Sequence, residues 1–488
     1  MQRFRSRSVT ARVRVGFVAV VLSVTGLSAV VALSNAPAAG AASCATQTAW
    51  TTFGFDNARS GVNPCETTLS VSTAPHLHLL WSANLSSVSI AQPTYAPNML
   101  VNGVRRNLLF VADEHGEVQA LDASNGAQVW QHQLTYHLST CTDIPDEKFG
   151  VSGAPVLDLS TATGYVVGGS GDAVHAIDLT TGKDKPGWTP ISVGNAQVDH
   201  VYGALTLASG ILYATTASYC DFGTYYGKTT AVSIATDKIV AQWYVVPTNS
   251  SSYGGGIWGP GGVSVDNANG AVYAATGNSL PGEHAAYSER IVRLNANLAP
   301  QASNYATFVG KDVDYGATPL LFQPPGCPAM LAAKNKSGVL VVYNRNSIAS
   351  GPVQKLQVAD PGNLQFNGIP AYSPVDNKVY LTNSSDSTDG VYFHGMVAFK
   401  ILSNCTLALA WQRTVGPTGD SMSPPTVANG VVYYGDGSGD TLLAFNATTG
   451  VRLWNSNTIH GSIYAAPTVV DGKVFAAAWD GKVYAFGT

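Results

Sequence analysis

Ala120-Leu121-Asp122-Ala123-Ser124-Asn125-Gly126, closing on Trp130, returns twice along the chain. The second copy is Ala176-Ile177-Asp178-Leu179-Thr180-Thr181-Gly182 before Trp188, and the third is Ala444-Phe445-Asn446-Ala447-Thr448-Thr449-Gly450 before Trp454. Each reads as a strand that ends in an Asp or Asn turn, with Gly where the backbone needs positive φ, followed by a strand that begins with Trp. A lone hairpin cannot bury an indole, whereas a ring of such units can, so the repeat decides the architecture. Worn copies stand between them. Ala231 to Trp243 and Ala398 to Trp411 keep both ends of the phrase, Arg293 to Ala296 keeps a turn without the Trp, and Val342-Tyr343-Asn344 adds another.

Upstream of each phrase lie short period-2 runs split by Asp/Gly turns, such as Ala154 to Asp158 followed by Gly164 to Gly168, and no long amphipathic pattern interrupts them. Strand clusters fall at about 92–130, 152–188, 200–243, 257–303, 314–350, 366–411, 421–454 and 462–488. The spacing predicts an all-β fold, an eight-bladed β-propeller of four-stranded antiparallel blades. The last unit stops at Ala485-Phe486-Gly487-Thr488 before its outer strand, and Leu79-Leu80-Trp81-Ser82-Ala83 supplies that strand from the start of the chain. Joining the two regions in one blade closes the ring and removes free sheet edges.

The repeats run to the last residue without a linker, so residues 43–488 are expected to form one propeller domain. A net charge of −4 provides no basic field for nucleic acid. Residues 1–42 read as a signal peptide: Arg3, Arg5, Arg7, Arg12 and Arg14 precede an apolar run from Val15 to Leu33, and Ala36-Pro37-Ala38-Ala39-Gly40-Ala41-Ala42 forms a small-residue cleavage zone. The mature chain is therefore expected outside the cytoplasm, secreted and without a membrane span. Six cysteines, Cys44, Cys65, Cys141, Cys220, Cys327 and Cys405, lie beyond that cut and read as disulfides. Their connectivity stays open at this level, although Cys44 with Cys65 would staple the segment before the first blade.

The repeated phrase resembles the tryptophan-docking motif of the eight-bladed quinoprotein dehydrogenase propellers, which carry pyrroloquinoline quinone (PQQ). Trp50 to Arg59 resembles the opening segment of that family. Gly254-Gly255-Gly256-Ile257-Trp258-Gly259-Pro260 and Thr276-Gly277-Asn278 resemble its cofactor segments. The resemblance implies Trp258 as an aromatic floor under the quinone and Asn278 as a calcium ligand. A flat tricyclic ring needs a broad aromatic face, and flanking glycines let the backbone approach. Lys311-Asp312-Val313-Asp314-Tyr315 resembles the stretch that carries the catalytic carboxylate, which implies Asp314, with Asp312 second. A carboxylate beside a metal-bound alcohol accepts the hydroxyl proton as hydride departs. Lys334-Asn335-Lys336-Ser337-Gly338 resembles the strand whose basic side chain reaches the quinone carbonyl, which implies Lys336, where a cation stabilises the reduced oxygen.

The acidic metal ligand is offset: Ser218-Tyr219-Cys220-Asp221-Phe222-Gly223 provides Asp221, one residue out of step. The adjacent cysteine pair of many relatives is absent, as is a Cys-x-x-Cys-His haem site. Two functions follow from these residues. One is a secreted PQQ- and calcium-dependent dehydrogenase of small or polymeric alcohols or polyols, handing electrons to a separate acceptor. The alternative is a cofactor-free propeller that serves as an extracytoplasmic binding or assembly scaffold.

Overall fold

A computed structural model describes residue 44 and residues 47–282, 284–361, 368–418 and 423–488, and the expected signal peptide lies outside them. The repeat phrases fold as their composition demands. In each, the Asp or Asn side chain closes the turn by accepting a backbone N–H two residues on: Ser124 to Asp122 at 3.0 Å, Thr180 to Asp178 at 3.0 Å, and Thr448 to Asn446 at 2.9 Å. Gly126, Gly182 and Gly450 then take φ of 74°, 71° and 71°, which a side chain disfavours.

These glycines do a second thing that spacing alone does not reveal. A Cβ on Gly126 would stand 2.5 Å from the Trp81 ring, one on Gly182 2.6 Å from Trp130, and one on Gly450 2.5 Å from Trp411. Each tryptophan belongs to the preceding blade. Its indole N–H crosses the seam as well: Trp81 donates to the Ala123 carbonyl at 3.3 Å, Trp130 to Leu179 at 2.9 Å, and Trp411 to Ala447 at 2.9 Å. The phrase is thus half of a lock whose other half lies one repeat away. Trp188 departs from the pattern, because it sits in the turn before the outer strand Ile191–Ser192 and donates to Val174 of its own blade.

Eight four-stranded antiparallel blades result, as the spacing predicts. Blade one comprises Thr94–Val101, Val104–Ala112, Glu117–Asp122 and Gln128–Gln133. The first strands of blades two to eight are Val156–Asp158, Thr206–Ala208, Ser264–Asp266, Leu320–Phe322, Ala371–Ser373, Thr426–Ala428 and Thr468–Val470. Blade eight takes its fourth strand from His78–Asn84, antiparallel to Lys482–Gly487 with Trp81 opposite Ala485, so the ring closes where expected. Cysteine pairing is Cys44–Cys65, Cys141–Cys220 and Cys327–Cys405, and the first is the expected staple.

Residues 50–63 hold the centre. Trp50 exchanges both backbone bonds with Tyr95 of blade one, at 2.9 and 2.8 Å. The carbonyls of Thr51, Asn57, Ala58, Ser60 and Gly61 accept from Leu157, Val265, Leu321, Tyr372 and Val427, the middle residues of five first strands, at 2.8–3.0 Å. The Asn57 and Asn63 amides donate to Leu207 and Val469 at 2.9 and 2.8 Å, which adds blades three and eight. One strap therefore contacts every blade, and the strands it contacts must be the innermost. Arg59, 1% exposed, folds back onto the strap and donates to Thr52 at 2.8 Å and Phe53 at 2.9 Å. Desolvation lowers its pKa to about 9 although Asp56 opposes the shift.

Docking and backbone strain separate by substitution. Gly126→Ala and Gly182→Ala are expected to cost roughly 2–4 kcal/mol, because a positive φ and an indole clash combine. Gly270→Ala, where φ is 70° but the nearest atom lies 3.6 Å away, is expected to cost only about 1 kcal/mol. Urea denaturation of the three variants reads the difference.

Candidate cofactor and cation site

The glycine-flanked Trp258 segment and the Thr276-Gly277-Asn278 turn face each other through their backbones. Gly255 donates to the Asn278 carbonyl at 2.6 Å and Gly277 to the Gly256 carbonyl at 2.7 Å, beside the short pair Tyr253–Gly254 and Ser279–Leu280. Bare glycine is required here. A Cβ on Gly256 would meet the Trp258 ring at 2.7 Å, and one on Gly277 would strike both Asp314 Oδ1 and the Trp258 indole nitrogen. Trp258, Gly277 and Asp314 therefore converge on one point.

Asp314 is fully buried and held from two sides. The Asn278 backbone N–H donates to its Oδ1, and the Lys336 ammonium stands 3.0 Å from its Oδ2. Lys336 also meets Asp312 at 2.8 Å, and its own N–H donates to the Asp314 carbonyl at 2.8 Å. Burial raises the Asp314 pKa, Lys336 pulls it back, and Asp312 and Asp221 push it up further. Desolvation alone would lower the Lys336 pKa, but the two aspartates outweigh it and raise the net value. Lys334, the other lysine of the motif, points away to the Thr382 carbonyl at 3.0 Å.

Asp221 reaches the group through Tyr225, whose hydroxyl donates to it and whose ring packs 6.5 Å from Trp258. Burial raises the Asp221 pKa, which the Tyr225 bond and Lys336 oppose. The structure thus gathers Trp258, Asn278, Asp314 and Lys336, with Asp221 beside them.

Several neighbours carry no local sequence signal. Tyr202 packs 5.6 Å from Trp258 and 4.6 Å from His200. Behind it runs a buried chain: Ser152 Oγ lies 2.8 Å from both Glu114 Oε1 and His200 Nε2, and His200 Nδ1 faces Asp172 at 3.5 Å. Desolvation raises the Glu114 pKa to about 7. Asp143 approaches from the segment after blade one. It is exposed to solvent; partial desolvation raises its pKa, Lys336 lowers it and Asp221 raises it. These residues come from hairpin turns of blades one and two and from the connections that follow those blades, so the packing of blades one to three brings them together. A cavity of about 550 Å³ lined by Ser86, His115, Gln133, Leu134, Thr135 and Tyr136 shares no residue with this cluster.

The cluster has the donor set for a hard cation. The side-chain oxygen of Asn278 is buried without a hydrogen-bond partner, and Asp314 Oδ2 faces the Lys336 ammonium at 3.0 Å. Such oxygens suit calcium. The glycine cradle around Trp258 suits a flat ring, and the Trp258 indole nitrogen is likewise unpartnered.

Fold and motif define a PQQ-like repeat eight-bladed propeller. The chain belongs to the family described as outer membrane protein assembly factor BamB, whose sequence profile matches residues 44–279 and 401–488. A polyvinylalcohol dehydrogenase of Pseudomonas sp is 23% identical over 467 residues, covering 89% of this chain and 65% of the relative. The chain thus spans about two thirds of the length of that relative. Quinohemoprotein alcohol dehydrogenase from Comamonas testosteroni superposes with TM-score 0.65 at 18% identity, over 91% of this chain and 81% of that one. BamB from Moraxella catarrhalis superposes with TM-score 0.54 at 16% identity, over 84% of this chain and all (100%) of that one. Among the described residues, no helix is long and apolar enough to cross a membrane. The three disulfides suit an oxidising compartment outside the cytoplasm.

Glu114 gives the cluster a pH signature. Its folded pKa of about 7 exceeds the ordinary 4.5, so the folded state binds the extra proton. The associated stability is fully present below pH 4.5 and is lost as pH rises to 7, by about 3 kcal/mol. Glu114→Gln is expected to flatten that fall, as read by urea denaturation at several pH values.

Proposed function

We propose that this chain is an extracytoplasmic PQQ- and calcium-dependent dehydrogenase of alcohols or polyols that passes electrons to a separate acceptor. One observation carries the reading: a fully buried carboxylate, Asp314, held between the Asn278 N–H and the Lys336 ammonium, beside an unpaired Asn278 side-chain oxygen. An unpaired buried acceptor costs about 1–3 kcal/mol, a cost that a bound cation would offset. The similarity to polyvinylalcohol dehydrogenase supports the substrate class at a distance.

Bound quinone would supply the hydride acceptor, and calcium the polarisation of the alcohol oxygen. Trp258 would carry the ring, while Asn278 and Asp221 would hold the metal. Asp314 takes the hydroxyl proton at Oδ2, the oxygen that faces Lys336 instead of a fixed backbone donor. Burial raises the affinity of Asp314 for a proton, which suits a base that works near neutral pH. Lys336 balances the buried charge while the site is idle and presents an ammonium to a developing oxyanion.

A cofactor-free scaffold is the second reading. The family description favours it, as do the Tyr202 and Tyr225 rings packed against Trp258 where a flat ring must enter.

Titration of the purified chain with PQQ and calcium, followed by a dye-linked assay over an alcohol panel, separates the two. Saturable quinone binding and turnover are expected. Asp314→Asn should retain quinone but lose about 10²–10⁴-fold in turnover. Absence of saturable binding at micromolar quinone overturns the enzyme reading.

A further inference from the structure

The acidic side of the cation site is held in a backbone conformation that its own sequence disfavours. Cys220 and Asp221 are consecutive residues with φ of 51° and 57°, in the left-handed region that a Cβ resists. They follow the strand Ile211–Ser218 after Tyr219, in the turn that leads to Lys228–Ser233. A tie from outside the turn would hold it there.

The structure shows what does. Cys220 is bonded to Cys141, with Cα atoms 5.5 Å apart. Cys141 is fully buried in the segment between blades one and two, anchored by the pair His137–Leu138 and Lys148–Phe149. Two ring contacts clamp the same seam: Tyr219 stacks on His137 at 4.6 Å and meets Phe149 edge-on at 4.9 Å. The disulfide thus joins the Asp221 turn to a segment that brings its own acid, Asp143. A carboxylate oxygen of Asp143 lies within 4.8 Å of both bonded sulfurs. Asp221 disfavours the charge on Asp143, and Lys336 favours the charge on both.

Two carboxylates, Asp143 from the segment between blades one and two and Asp221 from a hairpin turn of blade three, therefore flank one disulfide, and both lie within electrostatic reach of Lys336. Like charges at such a place separate unless a covalent tie or a cation holds them. Here the covalent tie is present whether or not a cation is bound.

We propose that the Cys141–Cys220 disulfide is the latch of the cation site, and that Asp143 is a further acidic residue of that site, paired with Asp221 for a divalent cation such as calcium. This rests on the cation site of the proposed function, and it adds a residue and a positioning bond that no sequence motif marks.

The remaining long-range disulfide provides an internal control. Cys327–Cys405 closes 78 residues and Cys141–Cys220 closes 79, so removal of either relieves nearly the same restraint on the unfolded chain. A difference in cation binding between the two double variants reports the local role alone. The test is calorimetric calcium binding by wild type, Cys141→Ser/Cys220→Ser, Cys327→Ser/Cys405→Ser and the disulfide-intact Asp143→Asn, with amide hydrogen exchange over residues 219–226.

The control variant should bind calcium as wild type does. The latch variant should bind at least about tenfold more weakly, with faster exchange at 219–226, and Asp143→Asn should weaken binding about threefold or more without changing exchange. Equal calcium affinity in the latch and control variants overturns the latch. Wild-type affinity in Asp143→Asn, which keeps all three disulfides and so tests the acid even where the latch variant fails to fold, overturns the role of Asp143. A wild type that binds no calcium overturns the cation site itself, and unchanged exchange at 219–226 in the latch variant then also rejects the disulfide as what holds the turn.

Discussion

The contact on which the ring depends is an indole lying on a bare glycine. Trp81, Trp130 and Trp411 each cover the positive-φ glycine of the next blade's turn and donate to the carbonyl three residues before it. Burying an indole against backbone removes a large apolar area from water, and the hydrogen bond satisfies the one polar atom that burial would orphan. Because donor and acceptor lie one repeat apart, no blade completes its own core. Stability is a property of neighbouring pairs, and closure by His78–Asn84 gives the last blade a partner.

Where this lock weakens, chemistry has room. The outer strands of blades four and five, Pro300–Asn304 and Gln354–Gln357, carry no tryptophan. Trp243, at the preceding seam, leaves its indole nitrogen without a partner. Between and beside these blades lie Trp258, Asn278, Asp314 and Lys336. The central strap compensates, since residues 50–63 bond to the innermost strand of every blade whether or not its tryptophan survives. A ring pinned at its centre tolerates a buried charge cluster that would otherwise loosen one seam.

Legibility of the site followed distance along the chain. Trp258 and Asn278 lie on two short motifs whose backbones bond directly, and Asp314 and Lys336 on two more joined by one backbone bond, so local patterns carried them. Asp221 was legible only with an offset, because its turn is shaped by a disulfide and not by its own residues. Tyr202, Asp143 and the Glu114–Ser152–His200–Asp172 chain left no pattern, since two hairpin turns and two connections, separated along the sequence, supply them and meet only when blades one to three pack. The spacing also misplaced Trp188, which looks like its counterparts in sequence but ends in a turn.

By itself, the sequence determined the repeat, the number of blades and the closing strand. These depend on period, turn chemistry and the bare glycine, which are local properties that recur along the chain. Only the tertiary structure decided which cysteines pair, that residues 50–63 bind every blade, and which acids surround Lys336. Those outcomes depend on which connections the closed ring brings face to face, and a charge or a thiol carries no record of its partner until loop closure has put the two together.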